Sequence, residues 1–310
     1  MWNLIVGLMV AISVRPADAQ EAARRREAAD PTSAVRQATP TLEGAEQHVY
    51  KTVGDTELRA YVFRSAEQAD KPRPAIVFFF GGGWRSGSPT QFAPHCRYLA
   101  RRGMIAIACD YRVAQRHGVV ATACVEDAKS AMRWVRSNAE MLGVDPNRIV
   151  AAGGSAGGHL AACTALIREF DAATDDLNVS PRPNALALFN PALILAPVPG
   201  ELEMDPAKYK ELEKRAGVAP ERISPYHHLR AALPPTVIFH GEADTTVPFE
   251  TARLFAQKAR ELGSECILHA YPDATHGFFN ANRDSGQAFR QTIQQLDAFL
   301  VEHGFLEPAG

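Results

Sequence analysis

The stretch RIVAAGGSAGGHLAACTAL, residues 148–166, places a serine among closely spaced glycines. The apolar run from Arg148 to Ala152 predicts a buried strand, and residues from Ala156 to Arg168 predict a helix. Gly153 to Gly157 matches the pattern G-x-S-x-G at this junction. Small residues allow the sharp turn that lifts the hydroxyl of Ser155 clear of its neighbours. Ser155 is therefore the candidate nucleophile, with a purely structural or phosphate-binding turn as the alternative.

Similar apolar runs recur along the chain: AIVFFF, MIAIACDY, RIVAAG, ALALFN, TVIFHG and ECILHAY. Such runs are typical of strands buried on both faces. Helical patterns lie between them, and the clearest, Cys124 to Met141, has one apolar face. We therefore predict an α/β fold with a mostly parallel central sheet and helices on both faces. Two alternating segments near residues 47–53 and 58–64 predict an antiparallel pair at the sheet edge.

A serine hydroxyl needs a base to accept its proton, and in α/β folds of this kind the acid and then the histidine follow the serine. Asp244 follows the run TVIFHG, and His276 follows ECILHAY. Both positions lie at the carboxyl ends of predicted strands, where open α/β sheets form ligand sites. Glu242 and Asp273 remain alternatives to Asp244, because one is nearer the strand end and the other is nearer the histidine.

Three consecutive glycines follow the first long apolar run, in FFFGGGW, residues 78–84. Glycine lets backbone N–H groups approach a reacting atom closely and allows positive φ angles. An attacking serine creates an oxyanion that needs such donors. We predict that the N–H groups of Gly82, Gly83 and Ala156 supply them; a flexible surface turn is the alternative for the glycines.

Composition excludes several functional classes. The chain has 310 residues, 46% of them hydrophobic, and a net charge of −2 from 33 basic and 35 acidic residues. No basic field therefore points to nucleic acid or an anionic membrane. The five cysteines are an odd number without CxxC spacing, so neither a zinc site nor a full disulfide framework is indicated. We predict no cofactor and no metal.

The N-terminal segment has the pattern of an export signal. An apolar run from Leu4 to Val14 precedes Ala17-Asp18-Ala19, which resembles a cleavage site, although no Lys or Arg precedes the run. The run is too short for a stable membrane anchor. We predict a signal peptide over residues 1–19, with a misassigned start codon as the alternative, and hence a periplasmic or secreted protein. A linker over 20–46 and a folded domain over 47–306 follow, with an insertion over 194–233 near the site.

The segments FGGGW, DYRVA, EDAKSAMRWV, GGSAGGHLAA, HGEADTTVP and DATHGFF closely resemble the α/β-hydrolase superfamily, and within it the hormone-sensitive-lipase-like esterases. The resemblance extends from about Gln47 to Phe305. It implies the α/β-hydrolase fold and a catalytic triad with an oxyanion hole. The implied roles are nucleophile for Ser155, general base and acid for His276, orienting carboxylate for Asp244, and oxyanion donors for Gly82, Gly83 and Ala156.

The sequence departs from the family pattern in two places. Phe80 replaces the histidine that usually precedes the glycines, so aromatic packing must replace the hydrogen bonds of that histidine. The usual N-terminal helical cap is also absent, which implies a more open site. The chain looks like a bacterial branch of acetyl esterases and acetylxylan-type esterases. Trp84 and Phe278 are candidates for stacking on a sugar, with plain packing as the alternative.

The leading hypothesis is a serine carboxylesterase that hydrolyses short acyl esters through an acyl-enzyme. Its expected substrates are small-molecule or carbohydrate esters, and O-acetyl groups on carbohydrate in particular. Two alternatives remain: a serine peptidase of the same fold, and a binding protein without catalysis on a hydrolase scaffold. The sequence predicts no oligomeric state.

Overall fold

The computed structural model describes residues 40–66 and 71–308. The predicted signal peptide over residues 1–19, and the predicted linker as far as residue 39, lie outside the described residues. Within the described ranges, no helix is both long enough and apolar enough to cross a membrane. All five cysteines are buried as free thiols.

The centre of the fold is one eight-stranded sheet with the order β1-β2-β4-β3-β5-β6-β7-β8. Its first two strands are antiparallel to their neighbours, and every later pair is parallel. This confirms the predicted fold class. The strands are β1 (Glu46–Val53), β2 (Thr56–Phe63), β3 (Arg73–Phe79), β4 (Ile105–Cys109), β5 (Val144–Gly154), β6 (Ala185–Phe189), β7 (Thr236–Gly241) and β8 (Cys266–Tyr271).

Helices cover both faces of this sheet because the side chains of each strand alternate between two apolar cores. In the described residues the α-helices are α1 (Ala93–Arg101), α2 (Ala114–His117), α3 (Ala121–Ser137), α4 (Ala139–Leu142), α5 (Ala156–Leu166), α6 (Pro206–Ala216), α7 (Phe249–Glu261) and α8 (Gln287–Glu302). Helices α3, α5 and α7 pack on one face, and α1 and α8 pack on the other. Short 3-10 turns occupy Pro89–Phe92, Pro220–Ile223, Pro225–His228 and Asp284–Gly286.

The helix predicted over Cys124 to Met141 differs in its bounds. It begins three residues earlier and is divided at Asn138, whose φ of −105° and ψ of 23° leave the helical range. The side-chain amide of Asn138 donates to the carbonyl oxygen of Trp134 (2.8 Å). Asparagine competes for backbone groups in this way, so it ends helices more often than it continues them.

The segment over residues 194–233 contains α6 and two of the 3-10 turns. Asp205 caps α6 by accepting from the backbone N–H of Ala207 (2.7 Å) and Lys208 (3.1 Å). Near the other end of α6, Nη1 of Arg215 lies 3.9 Å from where a Cβ on residue 83 would be. The insertion therefore reaches the glycine loop that follows β3.

Three described histidines are fully buried, and His95 and His159 are two of them. His95 lies among phenylalanine rings, and neither of its ring nitrogens has a hydrogen-bond partner in the described residues. Burial lowers the pKa of His95 from 6.5 to about 3. Burial also lowers the pKa of His159 from 6.5 to about 4, against a backbone hydrogen bond to Ile223 that raises it. Both rings are therefore neutral in the folded protein at mildly acidic pH.

The unfolded chain binds protons at these histidines below about pH 6.5, whereas the folded chain does not, so stability falls as the pH is lowered. From pH 7 to pH 5, His95 alone is expected to account for a loss of about 2 kcal/mol in the free energy of unfolding. Urea unfolding of His95→Leu should show a smaller loss over this range than the wild type. The loss measured for the wild type over the same pH range is the reference. An unchanged pH dependence in His95→Leu would contradict the prediction.

Candidate active site

Ser155 stands at the turn between β5 and α5, with a φ of 55° and a ψ of −119°. Its backbone N–H donates to the carbonyl oxygen of Phe189 (2.8 Å), which ties the turn to the next strand. Glycine is required two residues later, because a Cβ on residue 157 would lie 2.0 Å from the carbonyl oxygen of Phe79. The close packing of β3 against this turn therefore holds the serine in a left-handed conformation that is costly for a residue with a side chain.

The structure brings the three predicted triad residues together. Nε2 of His276 lies 2.9 Å from Oγ of Ser155, and Nδ1 of His276 lies 2.7 Å from Oδ2 of Asp244. The serine and histidine are 121 residues apart in sequence. They meet because β5, β7 and β8 are parallel, so the turns after these strands share one edge of the sheet.

The carboxylate of Asp244 is fully buried and satisfied by hydrogen bonds. Its Oδ1 accepts from the backbone N–H groups of Thr246 and Val247, both at 2.9 Å. Burial raises the pKa of Asp244, but the hydrogen bond from His276 and those from the two N–H groups outweigh burial and hold it below its usual value. Asp244 is therefore ionised at neutral pH.

The two alternatives to Asp244 lie elsewhere. Glu242 and Asp273 are exposed to solvent, and neither makes a hydrogen bond to His276 in the described part of the chain. Asp273 occupies a left-handed turn with a φ of 58°. Nearness in sequence therefore did not identify the carboxylate that the histidine contacts.

Asn190 is a site residue that the sequence analysis missed. Its side-chain amide donates to Oδ2 of Asp244 (2.8 Å), the same oxygen that His276 contacts. Asn190 is fully buried and has a φ of 42°, a value that asparagine tolerates better than most residues. It directly follows the strand β6 in ALALFNPAL, so the rule that placed Asp244 at a strand end could have found it.

The glycine loop lies beside Ser155, since a Cβ on residue 81 would lie 3.3 Å from Cβ of Ser155. Gly82 has a φ of 121°, and a Cβ there would lie 2.2 Å from the carbonyl oxygen of Ser86. In the described residues, no protein acceptor takes the N–H of Gly82 or Gly83. The N–H of Ala156 belongs to the first turn of α5, where N–H groups have no partner within the helix. All three predicted donors are thus available to a ligand.

Phe80, at the position of the usual histidine, packs against Tyr111. The two rings stack with centroids 4.0 Å apart and an angle of 16°. The hydroxyl of Tyr111 donates to the carbonyl oxygen of Phe80 (2.7 Å). Aromatic stacking and one tyrosine hydrogen bond therefore support the start of the glycine loop.

A family model described as alpha/beta hydrolase fold matches residues 76–280, more than half of the chain. The match includes the serine turn, the acid and the histidine. The chain belongs to the α/β-hydrolase family. The resemblance to hormone-sensitive-lipase-like esterases is confirmed by this match together with the relatives below.

Curated relatives of this chain include two proteins of Mycobacterium tuberculosis. Esterase LipC is 29% identical over 230 residues, which cover 70% of this chain and 56% of LipC. The probable carboxylic ester hydrolase LipM is 28% identical over 250 residues, which cover 76% of this chain and 57% of LipM. The chain thus spans about half the length of the curated relatives it matches.

Solved structures that resemble this chain include esterase 2 of the planctomycete Thermogutta terrifontis. Its propionate-bound form is 52% identical, with a TM-score of 0.83 and coverage of 87% of this chain and 98% of that chain. Its form phosphonylated by sarin is 51% identical, with a TM-score of 0.84 and coverage of 88% of this chain and 100% of that chain. The chain therefore matches a solved esterase over 87% to 88% of its own length.

The two predicted sugar-stacking residues are buried: Trp84 is 6% exposed and Phe278 is 5% exposed. Nε1 of Trp84 donates to Nδ1 of His159 (3.2 Å), and the ring of Phe278 packs on Tyr271 with centroids 4.6 Å apart. Nε2 of His159 donates to the carbonyl oxygen of Ile223 (2.7 Å), which leaves Nδ1 free to accept. The burial of both rings favours the packing interpretation.

Proposed function

We propose that this hydrolase is a serine carboxylesterase that cleaves short-chain acyl esters through Ser155, His276 and Asp244. The observation that carries the proposal is the continuous hydrogen-bonded chain from Oγ of Ser155 through the imidazole to Oδ2 of Asp244. This order of groups matches a nucleophile, its base and an orienting carboxylate. The names of the relatives support ester hydrolysis.

In the proposed reaction, Oγ of Ser155 attacks the ester carbonyl carbon while Nε2 of His276 takes the hydroxyl proton. The buried carboxylate of Asp244 stabilises the imidazolium and keeps Nδ1 protonated. The N–H groups of Gly82, Gly83 and Ala156 are placed to bind the oxyanion. The C–O bond to the alcohol then breaks, and the alcohol leaves with the proton from His276. Water activated by the same imidazole cleaves the acyl-enzyme and releases the acid.

The proposed acyl group is short. Forms of the Thermogutta terrifontis esterase bind propionate and butyrate, acids of three and four carbons. The proposed alcohol portion is a carbohydrate, and O-acetyl groups are the proposed target. Export, predicted from residues 1–19, would bring the enzyme into contact with polysaccharide outside the cytoplasm. The burial of Trp84 and Phe278 means that a sugar would have to be held by other side chains.

The proposal is tested by hydrolysis of p-nitrophenyl acetate, butyrate and octanoate, with Ser155→Ala as the background. We expect kcat/KM for acetate and butyrate to exceed that for octanoate by about tenfold or more, because each misfitting methylene costs binding energy in a short pocket. Wild-type rates no higher than the Ser155→Ala background would overturn the proposal that the protein is an esterase. Release of acetate from acetylated xylan tests whether the alcohol portion of the substrate is a carbohydrate. Cleavage of a peptide amide at a higher rate than that of the esters would favour the peptidase alternative.

A further inference from the structure

Two loops carry the proposed chemistry, and they follow different strands. The oxyanion loop, residues 80–86, follows β3, and the histidine loop, residues 272–280, follows β8. Because β3 and β8 are separated by three strands, the sheet alone does not hold these loops in register with each other. A misplacement of about 1 Å between reacting groups can cost a hundredfold in rate.

A chain of three hydrogen bonds joins the two loops. The backbone N–H of Gly81 donates to Oε1 of Gln91 (2.7 Å). Nε2 of Gln91 donates to Oδ1 of Asn280 (3.0 Å), across 189 residues of sequence. Nδ2 of Asn280 donates to the carbonyl oxygen of Gly277 (2.8 Å), the residue directly after His276.

The backbone groups at the two ends determine how both amides are oriented. The N–H of Gly81 can only donate, so the atom of Gln91 that faces it must be the oxygen. The carbonyl of Gly277 can only accept, so the atom of Asn280 that faces it must be the nitrogen. The remaining oxygen of Asn280 and nitrogen of Gln91 then face each other as acceptor and donor. Only one orientation of each side-chain amide therefore pairs every donor in the chain with an acceptor.

The peptide unit at the start of the oxyanion loop is held at both of its polar atoms. Its carbonyl, from Phe80, accepts from the hydroxyl of Tyr111 (2.7 Å), and its N–H, from Gly81, donates to Gln91. This peptide unit lies next to Ser155 and directly precedes Gly82 and Gly83. The hydrogen bonds at this peptide unit therefore fix the end of the loop from which the next two N–H groups extend.

We propose that Gln91 and Asn280 are positioning residues that hold the oxyanion loop in register with His276. The inference rests on the proposed function, because it assigns no chemistry of its own to either amide. Gln91 orients the loop that stabilises charge, and Asn280 holds the turn that carries the base. In the described residues, neither side chain makes a hydrogen bond to Ser155, so both act through the groups that they hold.

The first test is Gln91→Met, which keeps the length of the side chain and removes both hydrogen bonds. We expect kcat for p-nitrophenyl acetate to fall about tenfold or more, with KM within about twofold of the wild type, because the loss affects the oxyanion in the transition state. Gln257→Met on the exposed face of α7 is the matched control, and its kcat should equal that of the wild type. An unchanged kcat in Gln91→Met would overturn the proposal.

A transition-state analogue separates positioning from loss of structure. A trifluoromethyl ketone adds to the serine and places its oxyanion where the loop must bind it, so its Ki should rise by the same factor as kcat/KM falls. Circular dichroism gives the folded fraction used to correct both values. A lower folded fraction with unchanged corrected kcat and Ki would show a merely structural role and overturn the proposal.

The joint action of the two amides is tested by a double-mutant cycle with Asn280→Leu. Since both residues belong to one hydrogen-bonded chain, the double variant should be no slower than about twice the slower single variant. If the losses of kcat in the two single variants multiply in the double variant, the two residues act independently and the proposed coupling between the loops is wrong.

Failure of the inference and failure of the proposed function give different results. If Ser155→Ala retains the wild-type rate, the esterase mechanism itself is wrong. If Ser155→Ala is inactive while Gln91→Met and Asn280→Leu retain the wild-type kcat, the mechanism stands and the positioning roles are wrong.

Discussion

Ser155→Ala is expected to lower kcat/KM for p-nitrophenyl acetate by about 10⁴-fold or more, because removing a serine nucleophile removes the whole covalent route. The variant loses only Oγ, so the Cβ that lies beside residue 81 remains in place. The turn and its bond to Phe189 should therefore persist. Initial rates, corrected for spontaneous hydrolysis, provide the measurement.

Ser137→Ala, at the exposed end of α3, is the matched control for this substitution and should retain the wild-type rate. Near-identical circular dichroism spectra of the two variants would show that the loss is chemical. Substantial activity in Ser155→Ala would mean that another group attacks the ester, and the proposed mechanism would then be wrong.

Asp244→Asn is expected to lower kcat about 10⁴-fold, the size of effect known for this substitution in a serine protease triad. The amide that replaces Oδ2 would donate toward Nδ1 of His276, which now donates to Asp244 (2.7 Å). Nδ1 would then have to be the unprotonated nitrogen. The proton would move to Nε2, which faces Oγ of Ser155 and could no longer accept its hydrogen. The measurement is kcat for p-nitrophenyl acetate, taken at the same pH for the variant and the wild type.

Asp273→Asn is the matched control, since it makes the same change three residues from the histidine. Residue 273 is exposed and has a φ of 58°, a conformation that asparagine adopts readily. Its kcat should stay within about twofold of the wild type, because it lies outside the hydrogen-bonded chain. A greater loss in Asp273→Asn than in Asp244→Asn would show that Asp273 orients the histidine and that the proposed role of Asp244 is wrong.

Much of the fold followed from patterns that are local in sequence. Each buried parallel strand appears as a short apolar run, and the strand-to-helix turn at Ser155 needs small residues within five positions. The order of serine, acid and histidine then placed three side chains at one sheet edge. Helix bounds were less accurate, as Asn138 shows, because a single side-chain hydrogen bond decides where a helix ends.

The function of individual aromatic and amide side chains could not be read in the same way. Trp84 lies in the oxyanion loop and Phe278 lies in the histidine loop, yet they pack against His159 and Tyr271, which belong to other elements. Local sequence carries no signal for such contacts. The exposure of a ring depends on all the residues that pack around it, and these come from distant parts of the sequence.

The sequence alone was sufficient for the fold class and for the candidate nucleophile, base and acid, because these depend on runs of apolar residues and on turns of a few positions. Only the folded chain revealed that Asn190 contacts Asp244, and that Gln91 and Asn280 meet across 189 residues. The physical reason is that a hydrogen bond requires two atoms within about 3 Å, whatever their separation along the chain. Which amides reach one another is decided when the strands align, and no local pattern records it.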